Sequence, residues 1–132
     1  MLPSPAASLK ARWVARLGAL FYFAWGLFHL KVAHDIYILG SAQTGIAQGR
    51  LYQLAVYMLC IAMFAIAVAA FANWRNTERG YWLNICVVGW ADGVWMLVVV
   101  LPGYVPLLRG LVPPALFVVG AVLTTLARRG AR

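Results

Sequence analysis

The stretch that decides the fold runs from Leu51 to Phe71, LYQLAVYMLCIAMFAIAVAAF, and contains no charged side chain. A helix needs roughly 20 mostly apolar residues to cross the hydrocarbon core of a bilayer. Counted from Arg50, residues 50–71 are long enough. Working outward, residues 13–33, 80–101 and 111–127 have the same character. The expected fold is all-α, an integral membrane four-helix up-down bundle forming one domain over residues 1–132.

Composition points the same way. The chain is 64% hydrophobic and only 11% charged, against roughly 45–50% and about 25% in soluble chains. A soluble domain this short leaves a large share of its surface in water and cannot hide so much apolar area. The excess therefore calls for lipid as solvent.

Punctuation between the runs is polar. The segment up to Lys10 holds two prolines and reads as a disordered or interfacial tail. Residues 34–49, with Gly40, Ser41, Gln43, Thr44 and Gly45, read as a loop, and residues 73–79 as a tight connection. Pro102-Gly103 is a strong turn signal that stops the third run. Tyr104 to Gly110 reads as an interfacial turn or a half-inserted segment, with the regular fourth helix starting near Val112. Pro113 and Pro114 suit a first helical turn, where a missing N–H goes unnoticed.

The net charge of +8 raises the question of nucleic acid. Nucleic-acid binders gather basic residues on one folded face among polar and aromatic readers. Here the basic residues sit at the ends of apolar runs, which is the pattern of membrane anchoring. Nucleic acid is not expected as a partner; the lipid bilayer is. Lys10, Arg12 and Arg16 precede the first run as in a signal peptide, but that run exceeds a ~7–15-residue signal core and lacks a clear cleavage site. It is read as an uncleaved span.

Orientation follows from the same charges. An N-inside arrangement puts Lys10, Arg12, Arg16, Arg75, Arg79, Arg128, Arg129 and Arg132 in the cytoplasm and leaves Lys31, Arg50 and Arg109 outside. Positive residues in short loops favour the cytoplasm. The expected location is a cell membrane, the bacterial inner membrane, with both termini cytoplasmic. Trp13, Trp74, Trp82 and Tyr104 fall near span ends, where amphipathic rings favour headgroups.

An ionisable side chain at the bilayer centre costs ~2.5–3.5 kcal/mol on insertion scales, so it faces the bundle interior and has a partner. Asp92 is such a residue. Tyr81, Asn84, Val88, Asp92 and Trp95 recur at helical steps and form one stripe. Two readings of Asp92 stand: a proton acceptor or cation anchor, or a structural acceptor for a donor on a neighbouring helix. In the first run Gly18, Tyr22, Trp25 and His29 share a face. His29 pairs with Asp92 if the stripes meet; otherwise it bonds a backbone carbonyl or water. In the second run Gln53, Tyr57, Cys60 and Phe64 form a stripe. Convergence of the three predicts a polar pocket in the outer half of the bundle, with Tyr22, Trp25, His29, Gln53, Tyr57, Asn84, Asp92 and Trp95 as candidate ligand-binding residues.

Other chemistry finds little support. His29 and His34 are five positions apart, which turns them well away from each other on a helix. No metal site is expected from them, and haem has only His29 within a span. Cys60 and Cys86 lie inside apolar runs without CxxC spacing. Arg109 either reaches Asp92 or snorkels to the headgroups. Glu78 is expected to pair with Arg75 or Arg79. Nucleophile elbow, Walker loop, HExxH and dinucleotide fingerprints are missing from the sequence, so no catalytic residue and no cofactor are assigned.

The layout resembles the DoxX-like group of small bacterial four-helix membrane proteins. The residues that carry the likeness are Trp25-Gly26-Leu27-Phe28-His29-Leu30, Asn73-Trp74-Arg75-Asn76, Gly80-Tyr81-Trp82-Leu83-Asn84, Asp92, Pro102-Gly103-Tyr104-Val105-Pro106 and Pro113-Pro114. That resemblance implies association with respiratory or redox membrane complexes. Three functions are expected in turn: from the polar pocket without catalytic machinery, binding of a small amphiphile or a role as subunit of a membrane complex; from Asp92 and His29, a proton-linked transporter; and a quinone or thiol redox subunit. Small residues such as Gly18, Gly26, Gly89, Gly93 and Gly120 suit close helix packing and a homo-oligomer.

Overall fold

A computed structural model describes residues 5–130, and they are helical apart from short connections. Helix α1 spans Pro5–Ser41, α2 Gly45–Phe71, α3 Glu78–Trp95, α4 Leu107–Gly110 and α5 Val112–Arg129. Four helical segments are long and apolar enough to cross a membrane: Leu9–Ser41, Gly45–Arg75, Glu78–Val100 and Leu107–Arg129. Of the proline-containing tail, Met1 to Ser4 lies outside the described residues, whereas Pro5 onward already belongs to α1.

The expected loop over residues 34–49 is mostly helix. At 37 residues α1 is about 55 Å long, well beyond a ~30 Å hydrocarbon core. Its extension is held by a Lys31–Asp35 ion pair at 2.6 Å and by Tyr37 stacked on Tyr52 of α2, ring centroids 4.8 Å apart. Gly40 sits where a Cβ would lie 3.0 Å from the Tyr52 ring, so its lack of a side chain permits that contact. Only Ala42–Thr44 form the turn, and Gly45 opens α2 at φ +64°.

After α2 a short 3₁₀ turn, Asn73–Arg75, and Asn76 in the left-handed region reverse the chain. Thr77 then caps α3 by accepting from the Gly80 N–H at 3.2 Å. Glu78 pairs with Arg128 at 3.4 Å, not with the neighbouring Arg75 or Arg79 as expected from sequence proximity. The third run ends in a π-helical turn, Met96–Val100, whose i→i+5 bonds include Leu101 N–H to Met96 O at 2.9 Å. Pro102-Gly103 then breaks it, with Gly103 at φ +85°. Tyr104 to Gly110 forms a turn and the short α4 before the long α5 begins at Val112.

α1 packs along α2 on one side and α5 on the other, and α3 closes the ring against those same two helices. α1 and α3 thus face each other across the diagonal. The α1 seams are built from small residues. Ala55, Ala62, Ala65 and Ala69 make the buried face of α2, and Gly120, Thr124 and Ala127 that of α5. At Gly18 a Cβ would lie 2.7 Å from the Thr124 methyl and 3.1 Å from the Gly120 carbonyl oxygen. Large apolar side chains point outward instead: Leu20, Leu27, Leu59, Met63, Trp90 and Leu97 are exposed. The interior holds Tyr22, Trp25 and Val88 together with Asn73, Asn84, Asp92 and Thr124.

Candidate functional site

Trp25 is wholly buried and aimed across the diagonal. Its indole Nε1–H donates to both carboxylate oxygens of Asp92, at 3.1 and 3.0 Å. Asp92 thus accepts from a donor on the facing helix, and that donor is an indole. Arg109 makes no ion pair with Asp92, and the only two ion pairs of lysine or arginine among the described residues are Lys31–Asp35 and Arg128–Glu78.

His29 lies one turn beyond Trp25 and is also buried. Its Nδ1 is 2.8 Å from the Trp25 carbonyl oxygen, and its ring stacks on the indole with centroids 3.7 Å apart. A carbonyl can only accept, so Nδ1 carries a proton and Nε2 is left as the acceptor of the neutral ring. His29 and Asp92 share Trp25 between them without a direct hydrogen bond.

On its other side His29 lines a cavity of about 300 Å³ between the C-terminal halves of α1 and α3, the N-terminal half of α2 and the start of α5. Val32, Met58, Val94 and Val99 supply apolar wall, and Arg109 joins His29 as its polar points. Trp95 also lines it but donates its Nε1–H to the Gly110 carbonyl at 2.9 Å, which ties α4 to α3 and holds Arg109 at the rim. The π turn widens α3 beside the cavity, where Val98 and Val99 line it. Such turns recur at functional sites.

Of the eight candidate residues, the structure brings Trp25, His29, Asp92 and Trp95 into one region. Tyr22 and Asn84 are buried farther toward the Glu78 end of α3, and the Tyr22 hydroxyl and both Asn84 amide atoms have no hydrogen-bond partner. Gln53 and Tyr57 do not join them. Both are exposed, and they satisfy each other through Gln53 Nε2–H to Tyr57 Oη at 2.7 Å. The reason is close approach: α2 turns its alanine face to α1, which leaves the Gln53 stripe, with Cys60 and Phe64, facing out. Cys60 and Cys86 are free and exposed.

Arg109 and the α2 wall residue Met58 were outside the predicted pocket. The turn signal at Pro102-Gly103 announces that the chain folds back near the end of α3, which is the one sequence clue to Arg109. Met58 carries no signal beyond apolarity. No family model, curated protein or solved structure matches the chain.

Proposed function

We propose that this chain crosses a membrane four times with both termini cytoplasmic, and that it binds a small anionic-headed amphiphile in the cavity beside His29. The inverted arrangement of side chains supports the first part. Leucine, phenylalanine and methionine face outward while alanine, glycine and polar groups face inward, which suits a lipid solvent. The eight-to-three charge asymmetry supports the orientation, and the DoxX-like layout agrees with four spans.

The observation that carries the second part is the cavity itself. Its walls are apolar, and its polar points are an imidazole and one guanidinium, the Trp95 N–H being taken by the Gly110 carbonyl. Ligand sites typically combine a mostly apolar lining with a few polar groups that fix orientation. An alkyl or ring body fits the wall, and an acidic head at the rim meets Arg109. Asp92 stays behind Trp25, where it holds the helices that shape the cavity.

The test is thermal unfolding of detergent-purified protein with fatty acids, quinones and neutral amphiphiles, comparing wild type with Val32→Phe, which fills the cavity. Stabilisation by an acidic amphiphile that disappears in Val32→Phe is expected. Unchanged stability with every compound, or an equal shift in the filled variant, overturns the ligand reading. Orientation is read from Gln43→Cys and Gly130→Cys, each in a Cys60→Ala/Cys86→Ala background: in intact cells an impermeant maleimide should label only the former.

A further inference from the structure

A second site lies at the opposite end of the bundle, where α1 meets the turn after α2. Arg12, Arg16, Trp74 and Arg75 line a cradle of about 520 Å³. The Arg16 guanidinium carbon sits 5.1 Å from the Trp13 ring centre and 5.3 Å from that of Trp74. Flanking rings fix it in place, and its buried Nε has no hydrogen-bond partner. The chain has only three acidic side chains. Asp35 is taken by Lys31, Glu78 by Arg128, and Asp92 by Trp25. Among the described residues no acidic side chain is left for the cradle, so its positive charge is uncompensated by any of them.

Trp74 also borders a second, apolar groove of about 280 Å³. That groove runs along the α1–α2 seam over Leu20, Phe23, Ala69 and Ala70. It starts where the arginines stop and continues toward the middle of the bundle. A basic cradle joined to an apolar groove through one shared tryptophan matches one occupant: a phosphate-bearing head with an acyl chain behind it. We propose that this is a binding site for an anionic phospholipid of the cytoplasmic leaflet. The inference rests on the four-span, N-inside reading but not on the amphiphile cavity. Basic pockets between helices on that side suit acidic lipid heads. A soluble phosphate would use the cradle and leave the groove idle.

Native mass spectrometry of the detergent-purified protein, titrated with phosphatidylglycerol and phosphatidylcholine, tests it. Wild type should retain phosphatidylglycerol preferentially. Arg16→Gln/Arg75→Gln should weaken phosphatidylglycerol retention about 25-fold, about fivefold for each arginine, and leave phosphatidylcholine unchanged. Ala70→Trp, at an exposed groove position, should weaken retention with all arginines in place. If the double variant does not fold, Arg75→Gln alone is read, since Arg75 is exposed. Undiminished preference in the arginine variants overturns the proposal. So does stabilisation by inorganic phosphate equal to that by the lipid, which would make the cradle a free-phosphate site. The Val32→Phe variant separates the two sites: it should abolish the amphiphile shift and leave lipid preference intact. Labelling of Gly130→Cys from outside would instead remove the membrane orientation on which the lipid reading depends.

Discussion

The indole of Trp25 and the carboxylate of Asp92 bridge the diagonal of the bundle, where α1 and α3 do not otherwise pack closely. Removing one partner from a buried polar pair exposes the other to the full penalty of being unpaired, whereas removing both is far milder. Trp25→Phe should therefore destabilise the protein by roughly 2–3 kcal/mol, partly by orphaning the carboxylate. Asp92→Asn keeps an acceptor for the indole and should lose under about 1 kcal/mol. The double variant should be less destabilised than the sum, which urea or thermal unfolding of all four proteins measures. Strict additivity would show that the bond contributes nothing.

His29 gives a contrasting expectation. It stacks on Trp25 and bonds that residue's carbonyl, but it makes no hydrogen bond to Asp92. In a cycle of His29→Gln and Asp92→Asn, the coupling should be smaller than in the Trp25–Asp92 cycle. A larger value would mean that imidazole and carboxylate interact directly.

These two pairs also mark how far the sequence could be read. Hydropathy located the four long apolar helices, because such a helix is specified by length and composition alone, but not their ends: α1 runs Pro5–Ser41 where residues 13–33 were expected. The stripes of α1 and α3 were legible for a related reason: a polar residue among apolar ones has one place to hide. Which donor Asp92 would meet was not legible. Trp25 and His29 lie on the same face one turn apart, and the choice depends on the helix separation, which small residues elsewhere set. The α2 stripe failed for the same cause. Gln53 and Tyr57 are polar and periodic, but Ala55, Ala62, Ala65 and Ala69 turn the opposite side of the helix inward. The π turn at Met96–Val100 has no signature in its apolar residues.

Gln53 and Tyr57 are exposed and bonded to one another. Gln53→Leu and Tyr57→Phe should each change stability by no more than about 0.5 kcal/mol, as surface changes usually do. They should also leave amphiphile binding intact. A loss of binding in either variant would return the α2 stripe to the site.

Glycines separate packing from propensity. At Gly18 an added Cβ meets Thr124 and the Gly120 backbone within 3.1 Å, so Gly18→Ala should push α1 from α5. Overpacking of this kind costs roughly 1–3 kcal/mol. At Gly93 nothing lies within 4 Å of the same atom. Gly93→Ala should be neutral or stabilising by up to about 1 kcal/mol, because alanine loses less backbone freedom in a helix. Melting temperatures that move in opposite directions are the expected result. A loss at Gly93 would point to a contact made there by another molecule.

Arg109 decides what kind of head the cavity accepts. It is the one cation on the lining, held at the rim because Trp95 binds the Gly110 carbonyl. Arg109→Gln should weaken an acidic amphiphile by about tenfold, the equivalent of roughly 1.4 kcal/mol, and leave a neutral analogue of the same tail unchanged. Trp95→Phe should weaken both together, since it frees α4 and loosens the rim without altering charge. Calorimetric titration with an acid and its methyl ester reads the difference directly. Equal losses for acid and ester in Arg109→Gln would show that the guanidinium shapes the cavity and does not recognise the head. Loss for the acid alone would fix the polar end of the ligand at α4 and its apolar end against Val32 and Met58.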